Sequence, residues 1–305
     1  MKLLVTGGAG FIGSHIVDKL VSRGDEVIIV DNLSTGKRKN LNLKAKFYDI
    51  SITDPKIEEI FLKEKPEYVI HHAAQVDVGK AIRDPIYDAT INILGSINIL
   101  ENCRKHGVKK IVYGNSGGAG PGEPQYLPVD EKHPKNPQSP YGASKQTVEF
   151  YLKIYAHLYG LKFTSLGYAN VYGPRQDPFG EGGVIAIFSY KMFKNEPITV
   201  FGDGEQTRDY IYVGDIADAN ILALSKGDNE CFTVGTGTET SLNNLVKIMK
   251  ELSQSNTQTK YTSPRAGDIL RSSLNPAKIK KLIGWEPKVS LNEGLKNTME
   301  ALKNG

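Results

Sequence analysis

Short apolar runs alternate with amphipathic segments along the first half of the chain. The runs at residues 3–5, 27–30, 47–50, 68–71, 111–113 and 163–166 have the length and composition of buried strands. Between them, segments that begin at residue 11 and that span 57–62, 87–106 and 141–159 carry apolar residues at helical spacing. Alternating strands and helices predict an α/β fold, a doubly wound parallel sheet.

Beyond residue 168 this alternation loosens. Helical patterns cover 184–193, 242–252, 277–283 and 291–302, and 198–201 has the pattern of a short strand. The segments 215–224 and 231–234 could return to the main sheet. We therefore expect a cofactor-binding domain of residues 1–168 together with 213–236. A smaller, partly interleaved C-terminal substrate domain would comprise 169–212 and 237–305.

A glycine turn joins the first predicted strand to the first helix. Gly7, Gly10 and Gly13 have the spacing with which a chain turns tightly, admits a pyrophosphate and packs helix against strand. Asp31 ends the second predicted strand, where a carboxylate takes the hydroxyls of an adenosine ribose and repels a 2′-phosphate. The sequence therefore predicts a Rossmann-type fold that binds NAD rather than NADP.

Composition removes several classes of function. The net charge is only +4, and no basic block with interleaved aromatics suggests nucleic-acid binding. The two cysteines, Cys103 and Cys231, match no metal or redox spacing and are expected to be reduced. No apolar run is long enough to span a membrane, and a strand beginning at residue 2 leaves no room for a signal peptide. We expect a soluble, cytoplasmic protein.

A candidate for acid–base chemistry begins the helix after the fifth strand. Tyr141 and Lys145 are four residues apart and so share one helix face. A nearby ammonium lowers the pKa of a phenol, which can then accept a proton from a sugar hydroxyl. The Gly- and Pro-rich stretch before them, residues 114–140, is too long for a bare connection and lies where open α/β sheets bind ligands.

Several motifs together resemble the extended short-chain dehydrogenase/reductases. They include the glycine segment 6–13, residues 31–36, Tyr141 to Lys145, and the segments 170–175, 201–204, 207–210 and 264–268. The resemblance covers nearly the whole chain and is strongest to members that epimerise UDP-hexoses at C4. It implies hydride transfer from sugar C4 to a tightly held NAD, rotation of the 4-keto sugar, and return of the hydride to its other face.

The same resemblance assigns roles to individual residues. Tyr141 would be the base, Lys145 would bind the nicotinamide ribose and Ser116 would bond the sugar 4-oxygen. The remaining cofactor-binding residues would be Gly7, Gly10, Phe11, Ile12, Asp31, Asn32, Ser34, Thr35, Gly36, Asp49, Ile50, Ala73, Ala74, Gln75, Asn92 and Tyr168. The UDP-sugar would be held by Asn170, Arg208 and Arg265 at the diphosphate, Val184 and Phe201 at the uracil, and Asp268 at the ribose.

Two further expectations follow from the resemblance. Ser272, four residues after Asp268, would occupy the position that gates the sugar's C2 side, and its small side chain would admit an N-acetyl group. The helices at 87–106 and 141–159 would pair with those of a second copy, which predicts a homodimer.

Two other functions stay open. A nucleotide-sugar 4,6-dehydratase would carry Asp-Glu after the active-site hydroxyl, where this chain has Gly117 and Gly118. A non-catalytic protein that binds NAD or a nucleotide sugar is the second alternative. It is suggested by departures from the family pattern at Asn115, at residues 120–122 and at Gly167.

Overall fold

The computed structural model describes residues 1–179, 183–264 and 269–304. Its strands are β1 (Lys2–Thr6), β2 (Glu26–Asp31), β3 (Lys46–Asp49), β4 (Tyr68–His71), β5 (Lys110–Ser116), β6 (Lys162–Tyr168), β7 (Asn170–Tyr172), β8 (Ile198–Phe201), β9 (Thr207–Arg208), β10 (Tyr210–Tyr212), β11 (Glu230–Val234), β12 (Thr240–Ser241) and β13 (Thr259–Thr262). Its helices are α1 (Phe11–Ser22), α2 (Ile57–Glu64), α3 (Val78–Arg83), α4 (Pro85–Ala89), α5 (Gly95–Lys105), α6 (Pro140–Tyr159), α7 (Val184–Phe193), α8 (Val213–Ala223), α9 (Leu242–Ser253), α10 (Ala277–Ile283) and α11 (Leu291–Asn304).

Seven strands form one sheet in the order β3, β2, β1, β4, β5, β6, β11. Every neighbouring pair in it is parallel. The order reverses between β1 and β4, so the carboxyl ends of these two strands open into a crevice, the usual place for a ligand in such folds. The predicted doubly wound sheet is confirmed.

Both faces of the sheet are covered because successive side chains of a strand point to opposite sides. On β1, Leu3 and Val5 pack in a cluster with residues of α1 and α8. Leu4 points the other way, into a cluster with residues of α2, α5 and α6. Burial on both faces explains why the strands appear in the sequence as continuous apolar runs.

The C-terminal half adds a third, smaller apolar cluster. It is built from α7, α9 and α11 with side chains of β8 and β10. Short pairs, β7 with β10, β8 with β13 and β9 with β12, border it. The division into two domains stays a prediction. Ile279, Ile283 and Trp285 belong to the predicted C-terminal domain, yet they pack in the cluster that contains α1 and α8.

The structure adds detail that the pattern does not contain. The predicted helix 87–106 is α4 and α5 joined by a π-helical turn, Thr90–Leu94. Strand β5 continues to Ser116 because it pairs with β6 as far as Tyr168, which shortens the predicted loop at its start. Strands β7, β9, β10, β12 and β13 and helix α3 are too short for their periodicity to be recognised.

Within the described ranges, no helix combines the length and apolar character needed to cross a membrane.

Candidate active site

A cleft of about 760 Å³ lies at the carboxyl ends of the central strands. It is lined by turns that follow β1, β2, β4 and β5, and by the start of α6. The predicted site residues that line it are Gly7, Gly10, Phe11, Ile12, Asp31, Asn32, Ser34, Thr35, Gly36, Ile50, Ala73, Ala74, Gln75, Ser116, Tyr141 and Tyr168. The structure thus places most of the predicted cofactor residues and two of the three predicted catalytic residues around one cavity.

The glycine turn fits a dinucleotide pyrophosphate. Gly7 has φ +71°, and a Cβ there would lie 2.7 Å from the backbone nitrogen of Ala73. A Cβ on Gly13 would lie 2.1 Å from the Gly7 carbonyl oxygen, so the turn and α1 pack too closely for any side chain. Helix α1 begins after Gly10 without a side-chain cap, so its first N–H groups and positive dipole end are available to a phosphate.

Asp31 is positioned for the adenosine ribose. Its carboxylate accepts hydrogen bonds from the backbone N–H groups of Ala9 (3.0 Å) and Leu33 (2.8 Å), which fix it at the end of β2. It is 8 % exposed, and burial raises its pKa. The backbone donors hold the carboxylate in place, and Asp31 lines the cleft. A carboxylate held in this way is suited to accept hydrogen bonds from the two hydroxyls of a ribose.

The catalytic candidates meet at the start of α6. Ser116, at the end of β5, and Tyr141, in the first turn of α6, both line the cleft. Lys145 lies one turn below Tyr141 and is buried; its ammonium donates to the Gly114 carbonyl (2.6 Å) and lies 4.2 Å from the Tyr113 ring centroid. Burial lowers the pKa of Lys145 to about 7. A lysine that changes charge near neutrality is characteristic of catalytic surroundings.

Two predicted cofactor residues lie behind the cleft wall or beside it. Asn92 is buried and supports the wall: its side chain exchanges hydrogen bonds with the Gln75 backbone (2.8 and 2.9 Å) and donates to Ser144 on α6 (3.1 Å). Asp49 is exposed and pairs with Arg38 (3.0 Å). Asn92 therefore positions Gln75 rather than lining the cavity itself.

The two histidines at the end of β4 are hydrogen-bonding groups; His71 is buried and His72 is half-buried. Ser96 donates to the Asn92 carbonyl, so its oxygen accepts from His71 Nε2 (2.9 Å), which leaves His71 Nδ1 to accept from Thr6 (2.6 Å). Burial lowers the pKa of His71 to about 3, so the ring is neutral. His72, whose pKa burial lowers to about 4, lines the cleft and stacks on Tyr168. The sequence pattern assigned neither histidine a chemical role.

The predicted nucleotide-sugar residues lie on the C-terminal side. Asn170 and Val184 line a small adjoining cavity of about 30 Å³. Phe201, at the end of β8, is half-buried. Arg208, on β9, donates to the Thr207 carbonyl (2.8 Å). Arg265 and Asp268 lie outside the described residues.

Arg208 is not engaged by the two neighbouring carboxylates that could have neutralised it. Asp209 accepts from the backbone of Thr236 (3.0 Å) and Leu274 (3.1 Å). Asp215 accepts from the backbone N–H of Lys288 (3.1 Å). The alternative to a binding role for Arg208 is a structural salt bridge to one of these aspartates. Within the described part of the chain, Arg208 forms no such salt bridge.

The cleft also contains residues that sequence reasoning did not select. Lys37, Lys80, Arg175, Gln176 and Asp177 line it. Lys37 pairs with Asp177 across the opening at 2.9 Å, which joins the loop after β2 to the segment after β7. Lys80 lies on α3, and Arg175 ends the segment 170–175 that carries the family resemblance. Lys37, Gln176 and Asp177 come from loops that meet only in the folded chain, so no motif marked them.

The departures from the family pattern have specific partners. The side-chain amide of Asn115 donates to Glu149 (3.0 Å), and its oxygen, Oδ1, accepts from the Ser116 backbone N–H (2.8 Å). A Cβ on Gly167 would lie 3.3 Å from the Gly117 Cα, so a small residue lets the two strand ends approach. A Cβ on Gly120 would lie 2.4 Å from the Gln146 amide nitrogen. These positions are packed parts of the site.

Comparison with known proteins gives the family. The model of the NAD dependent epimerase/dehydratase family matches residues 3–235, which span the whole cleft. The chain belongs to this family. The predicted family resemblance and the NAD cofactor are thereby confirmed.

Three solved structures are similar over nearly their full length. UDP-glucose 4-epimerase from Thermotoga maritima, solved with UDP-glucose, is 52% identical with a TM-score of 0.99, covering 100% of this chain and 99% of that one. UDP-glucose 4-epimerase from Thermus thermophilus, in complex with NAD, is 44% identical with a TM-score of 0.95 and 99% coverage of each chain. UDP-N-acetylglucosamine 4-epimerase from Methanobrevibacter ruminantium, in complex with UDP-N-acetylmuramic acid, is 35% identical with a TM-score of 0.95, covering 99% and 98%.

Proposed function

We propose that this protein interconverts a UDP-hexose and its 4-epimer, with NAD as the resident cofactor. The observation that carries the proposal is the placement of Tyr141 and Ser116 on the same cleft as the dinucleotide turn. A base beside the cofactor can act only on a substrate that enters the same cavity. The 4-epimerases from Thermotoga maritima and Thermus thermophilus support a UDP-hexose as that substrate.

The chain's own residues supply binding, orientation and proton transfer. NAD, when bound, accepts a hydride from the sugar and returns it. The turn at Gly7 to Gly13 would hold the pyrophosphate and Asp31 the adenosine ribose. Tyr141 takes the proton of the 4-hydroxyl and later gives it back, and Ser116 bonds the 4-oxygen.

Lys145 makes this proton transfer possible near neutral pH. Its ammonium stabilises the phenolate of Tyr141, one helical turn away. Because burial lowers the pKa of Lys145 to about 7, the ammonium is partly lost as pH rises above neutrality. Hydrogen bonding to the Gly114 carbonyl keeps the lysine aligned in either state.

The nucleotide would bind on the C-terminal side. Arg208 and Asn170 would hold the diphosphate. The guanidinium of Arg208 suits this role because it can form two parallel hydrogen bonds to phosphate oxygens. Val184 and Phe201 would contact the uracil. Arg265 and Asp268, outside the described residues, keep the diphosphate and ribose roles that the resemblance implies.

The glycines after Ser116 disfavour the dehydratase alternative. A Cβ at residue 117 would lie 2.4 Å from Leu274 Cδ1 and 2.8 Å from the Gly167 carbonyl oxygen. An acidic side chain, which elimination of water needs at this place, would therefore not fit without rearrangement. The 4-epimerase reaction needs no second acid and is compatible with glycine there.

The direct test is incubation of the purified protein with UDP-galactose and detection of UDP-glucose by anion-exchange chromatography. We expect conversion in both directions to the same equilibrium mixture, without added reductant. Release of a 4-keto-6-deoxy sugar would favour the dehydratase. Tight binding of NAD and UDP without turnover would favour the non-catalytic alternative.

We also propose a homodimer. Helix α4, the π-helical turn Thr90–Leu94 and helix α6 expose large apolar side chains, namely Ile86 (79 %), Leu94 (59 %), Phe150 (62 %), Ile154 (46 %) and Leu158 (59 %). Apolar residues repeated on adjacent helices are typical of an interface with a second copy. A cytoplasmic location stays a prediction, supported by the unpaired thiols of Cys103 and Cys231.

A further inference from the structure

Asp209 is a fully buried carboxylate that the proposed chemistry does not use. Its Oδ1 accepts from the Thr236 backbone N–H (3.0 Å) and hydroxyl (2.6 Å). Its Oδ2 accepts from the backbone N–H groups of Gly237 (3.1 Å) and Leu274 (3.1 Å). The side chain is 0 % exposed. Burying a carboxylate is costly unless donors surround it, so this arrangement has a strong structural reason.

These hydrogen bonds join four segments of the chain. Asp209 itself lies at the corner between β9 and β10. Its carbonyl accepts from the Asn170 N–H (2.9 Å) at the start of β7. Thr236 and Gly237 lie in the connection between β11 and β12, and Leu274 lies in the segment before α10.

Most of these segments lead to a predicted substrate contact. Arg208 directly precedes Asp209, Asn170 is bonded to its carbonyl, and Ser272 lies two residues before Leu274. The Leu274 side chain in turn packs at Gly117, where a Cβ would lie 2.4 Å from its Cδ1. One carboxylate thus connects the predicted diphosphate side of the site with the side that carries Ser116 and Ser272.

We propose that Asp209 is a positioning residue for the nucleotide-sugar site, holding Arg208 and the segment around Ser272 at the separation that a nucleoside diphosphate-sugar requires. The inference rests on the proposed function, because Arg208 and Ser272 have their roles only there. The dinucleotide cleft is lined by other residues, so loss of the carboxylate should weaken nucleotide-sugar binding and spare NAD.

Asp215 provides a matched control. It is also buried, at 2 % exposure, and its Oδ2 accepts from the backbone N–H groups of Lys288 and Val289, both at 3.1 Å. Those partners precede α11 and lead to no predicted substrate contact. Asp215→Asn therefore perturbs hydrogen bonds between a buried carboxylate and backbone N–H groups away from the site, two donors against the four of Asp209.

The experiment compares Asp209→Asn with Asp215→Asn in the full-length protein. Thermal unfolding, NAD affinity and UDP affinity are measured by calorimetry, and KM and kcat for UDP-galactose are measured well below both unfolding temperatures. Both variants should unfold at lower temperature. Only Asp209→Asn should raise the Kd for UDP and the KM for UDP-galactose, by about tenfold or more. The reason is that a misplaced binding group lowers affinity by about tenfold or more.

Thr236→Val is a milder variant in case Asp209→Asn does not fold. It removes the hydroxyl that donates to Asp209 (2.6 Å) and accepts from the Thr238 N–H (3.1 Å), but leaves the backbone donors to Asp209 in place. We expect a smaller rise in the UDP Kd, with NAD affinity unchanged. Equal UDP affinity in Asp209→Asn and Asp215→Asn, or an equal loss of NAD and UDP affinity, would overturn the inference.

The outcome is separable from the proposed function. A wild-type protein that binds UDP but does not interconvert UDP-galactose and UDP-glucose would refute the function and leave the UDP comparison valid. A wild-type protein that epimerises, with both aspartate variants alike, would refute only the role of Asp209. Absence of UDP binding in the wild type would refute both.

Discussion

Tyr141 lines the cleft with Lys145 one helical turn away, the arrangement that the proposed base requires. We expect Tyr141→Phe to keep NAD affinity, because the phenyl ring still fills its place. Turnover of UDP-galactose should fall by about 10²- to 10⁴-fold, the usual contribution of a general base. Steady-state kinetics and an NAD titration measure the two effects. Activity within a few-fold of wild type would remove Tyr141 from the mechanism.

Asp31 should determine the choice of dinucleotide. Its carboxylate is held by the Ala9 and Leu33 N–H groups, so it cannot turn away from a 2′-phosphate. We expect NADP to bind at least about tenfold more weakly than NAD, since like charges at contact cost several kcal/mol. Asp31→Asn should narrow the difference between the NAD and NADP affinities, whereas Glu26→Gln, at the opposite and exposed end of β2, should not. Equal NAD and NADP affinities in the wild type would contradict the prediction.

Ser272 should set the range of sugars. A Cβ on Gly118 would lie 3.5 Å from the Ser272 hydroxyl, so this side chain faces the loop that follows Ser116. Arg271, which could have refilled the space, is held by Glu239 (2.8 Å).

We therefore expect the wild type to epimerise UDP-N-acetylglucosamine as well as UDP-glucose. Ser272→Tyr should lose mainly the N-acetylated substrate, because only the acetamide needs the volume, and Ser272→Ala should keep both. The measurement is the ratio of kcat/KM for the two sugars in each variant. A wild type active on UDP-galactose and silent on N-acetylated sugars would show that another group closes the pocket.

At the scale of elements, α2 is tied to the sheet edge by Glu64. This carboxylate is only 4 % exposed and contacts Lys46, Tyr48 and Lys2 (3.2 Å). Burial alone would raise its pKa, but hydrogen bonds from Lys46 and its neighbours outweigh burial and lower the pKa to about 2. A lowered carboxylate pKa stabilises the fold at pH values above the unfolded pKa of 4.5, and this stability is lost as pH falls toward 2.

Glu64→Gln should therefore lower the free energy of unfolding at pH 7 by roughly 1 to 3 kcal/mol. The difference from wild type should shrink between about pH 5 and pH 2, where the wild-type carboxylate becomes protonated. Urea unfolding across this pH range measures it. Glu58→Gln, a partly exposed position on the same helix, serves as control, and a pH-independent difference would assign the effect to packing instead.

The observed helices and strands also show which elements the pattern of apolar and polar residues can predict. Helices α6, α7 and α10 begin and end within one residue of their predictions, because their apolar faces and flanking breakers are local. Strands of two or three residues, such as β9 and β12, exist only because a distant strand supplies hydrogen bonds. The π-helical turn at Thr90–Leu94 likewise has no local signal.

At the scale of the whole molecule, the exposed apolar side chains of α4, of the π-helical turn after it and of α6 predict a homodimer. Light scattering at micromolar concentration should give twice the chain mass of 33.5 kDa. Phe150→Asp, which puts a charge in the centre of the face, should give the monomer mass. Leu43→Asp, at a 99 % exposed loop position away from these helices, should not. A monomeric wild type would refute the homodimer.

The sequence by itself determined the fold class and the core of the cofactor site. Its strands appear as short apolar runs and its helices as longer amphipathic segments, so periodicity and segment length together distinguish them. The contacts of Gly13 and Asp31 are consequences of one strand–turn–helix unit and the strand beside it, whereas the contact of Gly7 with Ala73 needs the turn after β4. Tyr141 and Lys145 share one helix turn, so their proximity also needed no tertiary information.

Only the tertiary structure decided what brings distant segments together. Three features join residues that are far apart in the chain: the Lys37–Asp177 pair, the neutral histidines at the end of β4 and the Asp209 connection. Even Asp209, in a motif that the sequence displayed, showed its partners only in the structure. The physical reason is that a buried polar group is defined by the donors that surround it, and folding, not spacing along the chain, supplies those donors.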